Sequence, residues 1–252
     1  MIHTIQADFY RLFRSKGFWI TEIVLFALML MGATIGATGH LMSVDTTPPE
    51  TELPSKGWDG VQALINASSQ GSNLVFLCII LACLVLGVDL IGKLYKNSLT
   101  VGVSRTEFFF AKSVVLASIA LMQILISLVI AFVPATILNG IGPMPEGFIG
   151  NLLLTITIQF LCLLAWLSIV SFILYVTHSY LAVFIGYLIS SILLSMPMLI
   201  FPDIEILRYL SLNFAYAMTA YSQAVLYTII VTVTVILFFT ISGLAVFKKK
   251  SL

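Results

Sequence analysis

Six apolar runs, at about residues 18–41, 73–92, 113–138, 150–174, 180–200 and 223–247, leave this chain few ways to fold. A helix needs about 20 residues to cross roughly 30 Å of hydrocarbon, and each run has about that length. In lipid the backbone must satisfy its own polar groups, which within one segment only a helix does. With 60% hydrophobic and 9% charged residues and a mean hydropathy of +1.10, the chain carries more apolar surface than a soluble core can hide. The expected fold class is an all-α polytopic membrane protein, one transmembrane domain over residues 1–252. It begins with an amphipathic arm at 1–17 and ends in a basic tail at 248–252. Asp8, Arg11, Arg14 and Lys16 precede the first run, and no small-residue cleavage site follows it, so that run is expected to stay as a helix.

The cations orient the spans. Arg11, Arg14 and Lys16 stand in the arm, Lys93, Lys96, Arg105 and Lys112 between the second and third runs, and Lys248, Lys249 and Lys250 in the tail. The alternate connections hold only Lys56 and Arg208, alongside acids such as Asp45, Glu50, Glu146 and Asp203. By the positive-inside rule both termini and the 89–112 segment are expected on the cytoplasmic side. The turn YVTHSY, with no Lys or Arg, is the fourth connection and lies on that side by alternation alone.

Several functions are disfavoured. A charge in hydrocarbon is costly and normally persists for a purpose, yet no Asp, Glu, Lys or Arg falls at the centre of an expected span; Glu22 and Asp89 lie near span ends. A proton- or sodium-driven carrier normally places a carboxylate near the midplane. No HExxH or GxSxG occurs, and His3, His40 and His178 are scattered, so no catalytic residue and no metal site is assigned. Gly87 to Lys93 fits GxxxxGK, but Leu94 stands where a phosphate loop needs Ser or Thr, and the match ends a span instead of following a strand. The chain is not expected to bind ATP or magnesium, nor nucleic acid.

The segment DLIGKLYKNSLTVGVSRTEFFFAK, residues 89 to 112, is the most organised connection. Read as a helix over 88–100, it places Ile91, Leu94, Tyr95, Ser98 and Leu99 on one face and Asp89, Lys93, Lys96 and Asn97 on the other. Gly102 allows a turn, and Ser104 with Glu107 forms a capping box that starts a new helix through Arg105 into the third span. Taken alone, the basic amphipathic pattern fits an anionic lipid surface equally well.

Tyr95, Ser98, Leu99, Gly102, Ser104, Arg105 and Lys112, in that order between two spans, resemble the coupling segment of type 2 ATP-binding-cassette export permeases. The resemblance extends over nearly the whole chain. In the arm, Ile5, Phe9, Leu12 and Phe13 form one face, with Arg11, Arg14 and Lys16 toward the cytoplasm, similar to the family's elbow helix. The stretch 196–223 is similar to the re-entrant hairpin before the last span, with Pro197 and Pro202 breaking the fifth span; an interfacial helix fits it as well.

The resemblance implies a pore subunit in a bacterial cell membrane, working with a cytoplasmic ABC ATPase that holds ATP and magnesium and with a second permease subunit, identical or not. Ile91, Lys93, Leu94, Tyr95, Lys96, Ser98, Leu99, Gly102, Ser104, Arg105 and Glu107 would then couple to the ATPase. Gly32 and Gly36 offer a small-residue face for a dimer contact or for packing within one subunit. Small size suggests similarity to permeases exporting lantibiotics or other amphipathic peptides. An apolar pathway without fixed counter-charge would suit such substrates. The competing reading is a non-transporting membrane scaffold or sensor whose basic segment binds lipid or a regulator.

Overall fold

The computed structural model describes residues 2–35, 57–69, 71–100, 102–201, 203–217 and 222–249. Among these residues the structure is helical, with no strand.

Helix α1 (Ile2–Arg14) buries Leu12 and half-buries Ile5 and Phe9, as its pattern dictates, while Phe13 stays exposed and meets Phe9 and Phe18 edge or face on. Ser15 separates it from α2 (Lys16–Ile35). Its hydroxyl donates to the Leu12 carbonyl (2.8 Å) and accepts from the Phe18 amide (3.1 Å), closing one helix and capping the next.

Among the described residues five helical stretches are long and apolar enough to cross a membrane: Asn73–Ile91, Arg105–Asn139, Phe148–Thr177, Tyr180–Ile200 and Val225–Lys249. The second expected span runs through α4 (Gly71–Ala82), a π-helical turn (Cys83–Gly87) and α5 (Val88–Ile91). It is apolar on all sides, which suits a helix buried on all sides, and Leu77, Ile79, Leu81, Leu86 and Leu90 are buried. Against it pack α7 (Arg105–Asn139), α8 (Phe148–Thr177) and α9 (Tyr180–Ile200), while α12 (Ser222–Lys249) packs on α8; each lies close to an expected span. α2 is 20 residues long where the first span was expected, and 36–41 lie outside the described residues.

Pro197 does not break the fifth span as expected: α9 continues to Ile200, and the Phe201 amide still reaches the Pro197 carbonyl at 2.9 Å. A proline removes only the bond its own N–H would make, a loss that membrane helices tolerate. Pro202 lies outside the described residues.

At the end of the bundle opposite the basic segment, α3 (Gly60–Ser69) docks on the end of α7. The Asp59 carboxylate caps α3 by accepting from the Gln62 amide (2.8 Å), and the Gly60 and Val61 amides donate to the carbonyls of Gly140 and Ile141, both at 2.9 Å. Beyond α9, the short helices α10 (Glu205–Arg208) and α11 (Leu212–Ala217) turn back along the bundle. There the Asn213 amide donates to the Ser191 hydroxyl (3.3 Å) and Ser195 meets Ser211 (3.1 Å).

Candidate functional site

The basic end of the bundle gathers the residues singled out in the sequence. The helix expected over 88–100 is divided. α5 stops at Ile91, Gly92 to Leu94 form a turn, and α6 (Tyr95–Thr100) sets off separately. The break centres on Lys93, whose backbone is left-handed (φ 56°), a conformation that ends a helix.

That turn changes which residues face outward. Tyr95 is buried, edge-on to His178 (6.2 Å between ring centres) and Phe247 (5.9 Å), in place of the outward role its face suggested. Leu94, expected on the same face, is instead 41% exposed, together with Lys93 and Asn97. Ile91, Lys96, Ser98 and Leu99 are half-buried. Asp89, expected on the polar face, is buried. One left-handed residue rotates the two halves of the segment relative to each other, so a single helical wheel cannot hold for both.

Gly102 has φ 102°, and a side chain there would meet no neighbour within 4 Å, so the glycine serves backbone conformation and not close packing. The capping box is present. The Ser104 hydroxyl accepts from the Glu107 amide (3.1 Å), and the Glu107 carboxylate accepts from the Ser104 amide (3.0 Å). Arg105, in the first turn of α7, donates to the carbonyls of Phe247 (3.3 Å) and Lys248 (2.8 Å), a cation at the carbonyl end of α12.

The feature not found from the sequence is a four-charge cluster. The Lys112 ammonium, 1% exposed, donates to both Asp8 carboxylate oxygens (2.7 and 2.6 Å) and pairs with Asp89. Arg11 joins from α1, its guanidinium donating to Asp89 (2.7 Å) and Asp8 (3.0 Å). Arg11, expected toward the cytoplasm with Arg14 and Lys16, keeps its side chain 42% exposed while its guanidinium reaches the two buried carboxylates that lie beside one ammonium. Two acids and two bases cancel, which lets the group persist in a low-dielectric setting. Burial pushes the Asp8 carboxyl above its usual range, while Lys112 pulls it down. The Lys112 ammonium also lies 5.3 Å from the centre of the Phe108 ring. Thus α1, the end of the second span and the start of α7 share one ionic knot.

An aromatic layer lies beside the knot. Phe108 stacks on Phe247 (5.7 Å), Phe247 meets Tyr175 (5.1 Å), and Tyr175 stacks on Phe109 (5.1 Å). Tyr95 of α6 rests on this layer through Phe247. Gly87, the first glycine of the GxxxxGK match, packs under Tyr180: an added Cβ would fall 2.6 Å from that ring, so its role is helix contact.

Glu22, in α2, accepts a hydrogen bond from the buried Gln123 amide of α7. Gly32 lies in α2, and Gly36 lies outside the described residues. Among the described residues no three His, Cys, Asp or Glu side chains group as metal ligands, and Cys78, Cys83 and Cys162 are free and buried.

No curated protein and no solved structure matches the chain. A family model described as "ABC-2 family transporter protein" matches residues 4–196, which takes in α1, the basic segment, the ionic knot and most of α9. The chain therefore belongs to the ABC-2 transporter family and is a multi-pass membrane permease component of an ABC transporter.

Proposed function

We propose that this permease is one pore subunit of an ATP-driven exporter in a bacterial cell membrane, with six spans and both termini in the cytoplasm. α2 is the first span, α1 the elbow helix and α6 with its preceding turn the coupling element. ATP and magnesium are held by a separate ABC ATPase, and a second permease subunit completes the pathway. The observation that carries the reading is the connectivity of the basic segment. Lys93, Leu94 and Asn97 face outward, while the same segment is bound inward through Asp89 to Lys112 and through Tyr95 to Phe247. A push on the exposed strip therefore reaches the second, third and last spans without crossing a loose loop.

The exposed strip, and not Tyr95 or Leu99, is the docking surface. Tyr95, Ser98, Gly102, Ser104, Arg105 and Glu107 hold it in place. The α10–α11 segment is re-entrant, a reading supported by Asn213 meeting Ser191, nine residues before the end of α9. An amphipathic peptide or another hydrophobic compound suits the pathway, because the buried charges among the described residues pair with one another near the basic end.

The test is co-purification with the ABC ATPase that the reading assigns as partner. Leu94→Glu is expected to abolish association and stimulated ATP hydrolysis while the permease still folds, because Leu94 contributes little to the interior. If the variant keeps both, the coupling role fails, and a scaffold or sensor whose basic segment binds lipid takes its place.

A further inference from the structure

A cavity of about 250 Å³ lies between α7, α8 and α12, just above the aromatic layer. Its floor is the Phe109–Tyr175 stack, and Gly243 of α12 forms part of its wall. Among the described residues no Asp, Glu, Lys, Arg or His lines it. Lys112 immediately precedes the lining residue Ser113 but turns to Asp8 and Asp89, so its charge is neutralised elsewhere. The wall includes hydroxyls, yet Ser113 donates to the Phe109 carbonyl (3.0 Å) and Ser168 to the Ala165 carbonyl (2.7 Å), so both are spent on their own helices. Ser171, Thr240 and Tyr175 add further hydroxyls, but most of the surface an occupant meets is apolar, supplied by Leu116, Phe172 and Phe239 among others.

We infer that this cavity binds the uncharged alkyl or aromatic tail of a single-chain amphiphile. This inference rests on the exporter reading for its purpose and on the cavity for its chemistry. The size supports a tail and not a whole ligand, since pockets that enclose drug-sized molecules run from roughly 300 to 1,000 Å³. A charged head stays outside, because no charged side chain among the described residues lines the cavity to pair with it. The floor is also the layer on which Tyr95 rests through Phe247, so movement of the coupling element acts directly on the base of the tail site.

Gly243 supplies the test. A Cβ added there would lie 3.5 Å from Phe109 and 3.7 Å from Tyr175, ordinary contacts, so a side chain can be introduced and will project into the space. The purified full-length chain in phosphatidylcholine nanodiscs is exposed to a long-chain alcohol carrying a photoactivatable diazirine on its tail, and cross-linked peptides are mapped. Saturable labelling is expected within 109–117, 164–175 and 236–243, and both Gly243→Leu and Ser171→Leu are expected to weaken apparent affinity at least about tenfold. Should Gly243→Leu fail to fold, Ser171→Leu decides. Leu125→Phe, on an exposed face of α7, should leave labelling unchanged.

Saturable labelling that ignores both cavity variants overturns the inference. So does a site taken by phosphatidylcholine bearing the same diazirine, with the alcohol unable to compete, because the occupant is then a bilayer lipid. Co-purification with the ATPase is scored in parallel. Its loss in the unmodified chain while tail labelling persists defeats the exporter reading and leaves the tail site standing.

Discussion

At the basic end of the bundle, Lys112 joins Asp8 and Asp89 in the protein interior while Arg11 closes the group from its rim. At the opposite end, Asn213 meets Ser191, Ser195 meets Ser211, and α3 is held by backbone amides on Gly140 and Ile141. Both ends tie distant parts of the chain together, but among the described residues only one does so with buried charge. A buried charge cannot lose its partner cheaply, whereas a neutral hydroxyl or amide in a membrane protein finds substitutes at small cost. The basic end is therefore suited to transmit displacement as a unit, and the opposite end to rearrange. That division fits a machine driven from one side and opening on the other.

The largest expected effect breaks the charged end. Lys112→Met leaves two carboxylates facing each other with only the half-exposed Arg11 between them, and should cost roughly 3–5 kcal/mol in unfolding of the purified permease. Since domains are stable by only about 5–15 kcal/mol, much of the protein should be lost on extraction. Adding Asp8→Asn and Asp89→Asn should restore part of that stability. A loss below about 1 kcal/mol, the size seen for surface pairs, would mean that the knot is solvated and the contrast between the ends is false.

A smaller effect is expected at the start of α7. Ser104→Ala removes the hydroxyl that accepts from the Glu107 amide and should cost about 1 kcal/mol, while Ser104→Asp, which can still cap, should cost little. Equal loss in the two variants would show that the capping interaction is not what holds this helix start. Because the cap is exposed and local, it should affect ATPase association less than Leu94→Glu does.

The parts of this molecule that were legible share a property: their signal is local. The apolar runs declare their helices because lipid leaves the backbone no alternative. The capping box at Ser104 and Glu107 and the turn at Gly102 are each readable within a few residues. The ionic knot is not, because Asp8 and Lys112 are 104 residues apart and neither neighbourhood hints at the other. A lysine at the entry to the third expected span, with no acid three or four residues away, was the available signal, since such a cation needs a partner somewhere. The inward turn of Tyr95 was missed for a different reason. It depends on Lys93 adopting a left-handed backbone, which a residue with a side chain seldom does and which no periodicity announces. Likewise, Pro197 reads as a helix breaker, yet its missing N–H removes one bond near the end of α9 and the helix continues.

The smallest expected effect is the sharpest check on the contrast. Asn213 in α11 donates to Ser191 at 3.3 Å and also interacts with Tyr187, which ties this short helix to α9 twice. Neutral hydrogen bonds between membrane helices contribute about 0.6 kcal/mol on average, and Asn213→Ala should cost no more than a value of that order in the same unfolding assay. It should also leave association with the ATPase unchanged, since nothing in α11 touches the basic end. The reason is chemical, not positional: with Asn213 gone, the Ser191 hydroxyl can turn to the carbonyl of its own helix, as Ser195 already does toward Ser191 at 2.8 Å, and no uncompensated charge remains. If Asn213→Ala proved as damaging as Lys112→Met, the opposite end would be a second rigid joint. Movement started at the coupling element would then have to be absorbed within the spans themselves.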